Sequence, residues 1–415
     1  MKTLLQIVVG LCGLFALQAE AQIYDTNDVV VQTFAGSGFY GYLDGVGQQT
    51  MFHNPSAIVA DSSNNLFVLD ADNGRIRKIT PDGTVSTFVG GGTGKLPGTG
   101  TNVQFAVGSG PMAIDHSNVI WIGNLGSLVR IGTDAEVSTV SLGWGVNDGP
   151  NGICFDSANN MYLSSESQDK IYRLGTNDVP EVFVGSGNPG SVDGNGIFCS
   201  FYNPTALAID AADYIYVSDL DGMLIRRINQ NRDVVTIAGH PDWLGTVASD
   251  GVGTNADFPV GLVAGMCMDS SGNLILACGS VVRRMDSTTS VTTIAGSFNQ
   301  SGYTNGPGFL ARFIAANGVC VSPGMIFVAD AANERIRSIS FNSTLQPVSP
   351  VNLQLSTYPG LQITGTVGRT YQIQSSPDMK QWNTVATLLL TSSPYLWIDQ
   401  NPVSGSKFYR AFLLP

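Results

Sequence analysis

One landmark recurs six times along the 415 residues of this chain. In the stretch IVADSSNNLFVLD an aspartate, Asp61, separates two short apolar runs. Its equivalents are Asp115, Asp156, Asp210, Asp269 and, with serine instead, Ser322. The intervals are 54, 41, 54, 59 and 53 residues. A repeat of that length is one supersecondary unit that cannot bury its apolar face alone, so copies must stack as a solenoid or a propeller.

The pattern inside the unit decides between the two. PSAIVAD, LFVLD, RIRKI and TVSTFVG alternate with period two and are separated by the turn sequences SSNN, ADNG and PDG. That is four antiparallel strands with no helical period, which is one propeller blade. Glycine at 49 residues and a charged fraction of only 13% suit an all-β chain with many tight turns. Six sets of first-to-third strands are present, but the first fourth strand, VVVQTFAG at 29–36, precedes every set and the last set has none after it. The expected fold is therefore a six-bladed propeller in which residues 29–36 complete the last blade and remove the open sheet edges.

The ends read differently. Lys2, an apolar run from Leu4 to Leu17 and Ala19-Glu20-Ala21 form a secretory leader over 1–21, cut after Ala21, which implies a secreted or periplasmic protein. The propeller is expected over 22–342, a Pro- and Ser-containing linker over 343–350, and a small β-sandwich-like module over 351–415 with Tyr371, Trp382 and Trp397 as its core. The net charge of −12 is unchanged by loss of the leader and speaks against nucleic acid and anionic membranes, and no later run is long enough to span a bilayer. Of six cysteines, Cys12 leaves with the leader. Cys154, Cys267 and Cys320 each stand two residues before the landmark, where Val59, Ala113 and Ala208 stand elsewhere, so they read as small apolar residues. Cys278 replaces Asp70 and Cys199 lies in a long loop, which leaves one pairing open.

The third-strand sequences DADNGRIRKI (70–79) and DAANERIRSI (330–339) resemble the NHL repeat, and SDLDGMLIRRI and SSESQDKIYRL are looser copies. The loop text FAGSG, DGVG, F and P is similar to the exported bacterial branch of that group. The resemblance covers 29–341 and implies the propeller fold; it is silent about activity. RNA-binding members use basic faces, and amidating-lyase relatives hold zinc with several histidines. Here the charge is acidic and His53, His116 and His240 do not recur at equivalent positions.

Strand alternation places the inter-blade crossovers and the second-to-third-strand loops on one face of the ring. The crossovers are long, and long loops on a compact fold are where function concentrates. They carry a repeated stretch, Asp-Gly-x-Gly with Phe eight residues on, at Asp44, Asp193, Asp250 and, with asparagine, Asn305. Phe52, Phe201, Phe258 and Phe313 read as structural clamps between blades, with the glycines permitting the turn. Arginines on the third strands, among them Arg77, Arg226 and Arg337, are spread around the ring and read as partners of Asp70, Asp219 and Asp330. No nucleophile elbow, metalloprotease motif or phosphate loop is present. The primary expectation is a non-catalytic propeller that binds a protein, peptide or glycan through crossover aromatics: Tyr40, Tyr42, Trp144, Tyr202, Trp243 and Tyr303. No cofactor is expected. The rival is a calcium-dependent hydrolase, lactonase or lyase at the channel mouth, with Asp44, Asp193, Asp242 and Asp250 as candidate ligands.

Overall fold

In the computed structural model the described residues are 29–94, 96–104, 108–145, 148–175, 177–240, 249–258, 263–322, 324–341 and, near the C-terminus, 353–356, 360–363, 366–376, 380–391, 395–398 and 408–414. The leader over 1–21, the linker over 343–350, Asp242 and Trp243 lie outside them.

The described residues form six sheets of four or five antiparallel strands, each running outward from an inner strand. The inner strands are Pro55–Ala60, Met112–Ile114, Gly152–Phe155, Pro204–Ile209, Gly265–Met268 and Ala316–Ser322, and each touches the next in order, with the last returning to the first. The sheets are numbered here as blades 1 to 6 in that order. Blade 6 is closed by the N-terminal strand Val29–Ala35, which pairs antiparallel with Arg335–Phe341. The circle is thus fastened by backbone hydrogen bonds between residues some three hundred positions apart, and no blade is left with a bare edge at the seam.

The inner strands crowd the axis. A Cβ on Gly152 would lie 2.2 Å from the carbonyl oxygen of Thr205, and one on Gly265 would lie 2.3 Å from that of Asn317. Only glycine lets neighbouring inner strands approach so closely.

The landmark aspartates have a local job. Asp61 Oδ1 accepts from the amides of Ser63 and Asn65, and Asp115, Asp156, Asp210 and Asp269 repeat the arrangement with the residues two and four positions on. Each thereby closes the turn between first and second strands. The turns also link to one another. The amides of Ser62, His116 and Ser157 donate to Asn118 Oδ1, Asn159 Oδ1 and Asp213 Oδ1 of the following blade, at 3.0, 3.1 and 2.7 Å. Asn118, Asn159 and Asp213 all have positive φ, which turns their side chains toward the preceding blade. In blade 5 this position is Gly272, so the belt has no side chain there.

Five blades carry a fifth, outermost strand of two residues, which four strands per unit does not anticipate. In blade 1 it is Gly45–Val46, paired with Thr84 and Val85. It belongs to the Asp-Gly-x-Gly stretch. The crossover passes along the outer edge of the blade it is about to enter, and the unpaired backbone groups of the fourth strand take it as a partner.

The C-terminal segment holds two three-stranded sheets, one of Leu353–Ser356, Gly360–Ile363 and Tyr395–Ile398 and one of Asn383–Leu389, Thr370–Ser376 and Phe408–Leu413. Ile363, Tyr371, Ile373 and Leu390 form a small buried cluster, and the Tyr371 hydroxyl accepts from the Thr366 amide. The Arg410 guanidinium lies over the ring of Trp382, 4.3 Å from its centre. Trp397 falls on the strand Tyr395–Ile398.

Candidate binding face and the arginine clamps beneath it

The repeated crossover stretch builds the same assembly four times. In blade 1, Arg77 is fully buried; its Nη1 donates to Asp70 Oδ2 at 2.9 Å and to the Met51 carbonyl at 2.8 Å. Its Nη2 donates to the Leu43 carbonyl at 3.1 Å and to Asp44 Oδ1 at 2.6 Å. Asp44 in turn accepts from the Thr87 amide and hydroxyl on the fourth strand. Blade 4 repeats this with Arg226, Asp219, Asp193 and Thr236. Blade 5 does so with Arg283, Asp250 and Thr293, and blade 6 with Arg337, Asp330, Asn305 and Thr33. In blade 5 the buried aspartate is missing, because Cys278 stands there. One guanidinium therefore ties the crossover backbone at two carbonyls to the second strand and, through the half-exposed carboxylate, to the fourth.

Each guanidinium lies over a phenylalanine ring: Arg77 over Phe52, Arg226 over Phe201, Arg283 over Phe258 and Arg337 over Phe313, at 5.1, 5.3, 4.8 and 5.0 Å from the ring centres. The four rings are buried in the apolar clusters between consecutive blades. Phe201, for example, packs with Tyr162 and Phe183 of blade 3 and with Val217 and Ile228 of blade 4. Blade 3 has a different solution. Tyr172 takes the place of the arginine, bonds to Gln168 and packs against Trp144, with ring centres 5.1 Å apart.

Pairing of the third-strand arginines with Asp70, Asp219 and Asp330 is legible in the sequence, whereas Asp44, Asp193 and Asp250, their second partners, read there only as candidate calcium ligands. The structure engages those three carboxylates with Arg77, Arg226 and Arg283 on separate blades. Among the described residues no three His, Cys, Asp or Glu side chains are grouped to hold a metal. The missed signal was a constant separation: 33 residues from Asp44, Asp193 and Asp250 to their arginines and 43 to their threonines.

The five described cysteines are free thiols. Burial pushes the Cys278 thiol up to about 12 and raises those of Cys154, Cys267 and Cys320 as well.

The candidate aromatics fall into three groups. Tyr303 and Trp144 are engaged by neighbouring side chains: Tyr303, though exposed, bonds to Thr33 Oγ1 at 2.8 Å and lies under Arg335, and Trp144 is half-buried against Tyr172. Tyr202 is half-buried, and its amide donates to Asp219. Tyr40 and Tyr42 stand out from the crossover between blades 6 and 1, with Phe39 beside them; they are 76%, 62% and 72% exposed. Tyr42 is backed by the Arg75 guanidinium at 4.0 Å and Tyr40 leans on His53 at 5.5 Å, so both rings are held upright in solvent. The next residue, Asn54, donates from its side chain to Asp72 and to Ser109 Oγ.

Ser109 belongs to the wall of a cavity of about 500 Å³ at the mouth of the central channel. The wall is made by the starts of the inner strands, the ends of the crossovers at 108–111 and 149–152, and the second-to-third-strand loops at Asn124, Leu125, Glu166 and Ser167. The cavity therefore opens on the crossover face, beside the exposed aromatics.

Comparison with known proteins agrees with this architecture. Human NHL repeat-containing protein 2 is 22% identical over 351 residues, which cover 77% of this chain and 43% of the human protein. That likeness supports an NHL-repeat type of β-propeller for this chain. The chain spans less than half the length of that relative. Two solved Bacteroides thetaiotaomicron propellers superpose on it, each 18% identical. One, described as a structural genomics protein of unknown function, gives a TM-score of 0.60 over 75% of this chain and 76% of its own. The other, described as an auxiliary nutrient binding protein, gives 0.57 over 76% of each. No family model matches. Among the described residues no helix is long and apolar enough to cross a membrane.

Proposed function

We propose that this propeller is an exported binding protein with no chemistry of its own. It would hold a protein, peptide or glycan against the crossover face, across the blade 6 to blade 1 crossover and the channel mouth. The observation that carries this is the exposure of Phe39, Tyr40 and Tyr42 on one loop, with two of the rings backed from beneath by Arg75 and His53. Large aromatics cost free energy in water and offer flat, pre-positioned contact area, which is what a sugar ring or a peptide anchor requires. Their supports leave the outer faces open, so contact need not wait for the loop to rearrange.

The crossover can carry this load because it is fixed from below by the Arg77 and Arg335 bonds to the carbonyls of Leu43, Met51 and Ser37. The test is a screen of glycan and peptide arrays with the exported chain and with the Tyr40→Ala and Phe39→Ala variants. Binding that disappears in the variants while the unfolding midpoint stays put supports the face. Binding that survives both substitutions unchanged removes it.

A further inference from the structure

The channel mouth beside the aromatic loop has a charge character of its own. Among the described residues its polar wall groups are neutral side chains, chiefly Asn124, Asn151, Asn317 and Ser109, and the one formal charge is the carboxylate of Glu166. No lysine, arginine or histidine among the described residues lines it. Glu166 is held in place: its Oε2 accepts from Asn151 Nδ2 at 2.8 Å, while its own amide donates to Asn151 Oδ1 at 3.1 Å. Oε1 accepts nothing among the described residues. A second carboxylate, Asp148, stands just behind, accepting from the Ser167 hydroxyl at 2.7 Å. Across the mouth, Asp72 is joined to the wall through Asn54 and Ser109.

The same wall contains an orphan. Ser56 is 7% exposed, and its hydroxyl has no hydrogen-bond partner among the described residues. A buried polar group left without a partner is rare and costs free energy until something supplies one.

We infer that the channel mouth receives the positively charged side chain of a peptide partner, a lysine or arginine whose head group meets Glu166. This rests on the crossover face being the binding face, and it specifies the partner. The volume suits one extended side chain and not a folded element. A neutral ligand would leave the fixed carboxylate unanswered. An anion would meet Glu166, Asp148 and a net charge of −12. An ammonium or guanidinium group finds a pre-positioned acceptor and a ring of amide and hydroxyl oxygens. The flanking peptide then lies over the rim, within reach of the aromatic loop.

The experiment is calorimetric titration of the whole chain with an acetylated, amidated pentapeptide carrying lysine at its centre, and with the same peptide acetylated on the lysine amine. The lysine peptide is expected to bind about tenfold more tightly at low salt, the worth of one charge-assisted bond, and to lose most of that margin at high salt. Glu166→Gln retains the Asn151 contact and should bring the two peptides to equal affinity without moving the unfolding midpoint. Equal binding of the two peptides to the unaltered protein, an unchanged margin in Glu166→Gln, or no binding of the lysine peptide at millimolar concentration would each overturn the inference. Binding of neutral oligosaccharides that is lost in Tyr40→Ala would overturn it too, yet leave the crossover face standing. Lysine-peptide binding untouched by Tyr40→Ala and Phe39→Ala would do the reverse.

Discussion

The arginine clamps come in two versions, and the difference between them isolates the energy of a buried ion pair. Arg226→Met in blade 4 removes the donors to the carbonyls of Ser200 and Val192, the bond to half-exposed Asp193, and the partner of fully buried Asp219. Arg283→Met in blade 5 removes the donors to the carbonyls of Asp257 and Ser249 and the bond to half-exposed Asp250, but strands no buried carboxylate, because Cys278 occupies that place. An arginine–phenylalanine contact, with Phe201 or Phe258, is lost in both, and Arg283→Met loses a second one, with Phe298 at 5.4 Å, so the measured excess for Arg226→Met is a lower bound on the cost of the buried pair. Losing one partner of a buried pair costs about 3–5 kcal/mol, whereas loss of backbone-directed bonds and a half-exposed pair costs about 1–3 kcal/mol. Because Arg226→Met loses the same set of bonds as Arg283→Met and the buried partner besides, the expected excess is that of the buried pair, about 3–5 kcal/mol at pH 8.

The excess should depend on pH. Burial raises Asp219 above the ordinary carboxylate range, and the Tyr202 amide and Arg226 pull it back down. Without the arginine it rises further. A carboxyl whose folded-state pKa lies above its unfolded value binds a proton more tightly in the native state, so stability is gained as pH falls through that range. The Arg226→Met penalty should shrink from pH 8 to pH 5, while that of Arg283→Met stays level, since the Cys278 thiol, raised to about 12, is neutral throughout. Denaturant unfolding of both variants at the two pH values, with the slopes required to match, gives the four numbers. Equal penalties in the two blades at pH 8 would refute the claim that the buried aspartate is held by its arginine.

Other outcomes follow from the same geometry. Gly272→Asn should supply the missing link of the turn belt by accepting from the Ala211 amide; its φ of 78° suits asparagine and a Cβ there meets nothing within 4 Å, so a gain of about 0.5–1 kcal/mol is expected in a melt, and a loss would refute it. Phe201→Ala empties the cluster between blades 3 and 4 and should cost about 3–5 kcal/mol by denaturant titration; a cost below about 1 kcal/mol would mean that the ring is not a clamp. Cys154, Cys267, Cys278 and Cys320 should resist alkylation at pH 8 until the chain is unfolded, as mass spectrometry of iodoacetamide-treated protein would show, because burial keeps each thiol protonated.

Much of this is legible in the sequence alone. The landmark aspartates mark turns because an aspartate bonding the amides two and four residues on is a local device, and local devices recur whenever the repeat does. Strand identity followed from alternation, and closure from counting strands at the two ends of the array. The two-residue outer strand was not legible, since Gly45–Val46 is no strand by propensity and pairs only because the crossover is carried past Thr84 and Val85. The second partners of the arginines were visible as a constant interval but had no meaning without the fold.

The sequence by itself determined the repeat, its four main strands and the ring they form, because each is set by short-range pattern and by the need to cover apolar faces. Only the tertiary structure decided how the crossovers are used. Crossover aromatics are buried at Phe201, half-buried at Trp144 and open to solvent at Tyr40. Asp44 and Glu166 are both exposed carboxylates, yet the first is engaged by a buried arginine and the second keeps an oxygen free at the channel mouth. Burial and partnership are properties of what arrives from other blades, and the chain's own neighbours along the sequence do not encode them.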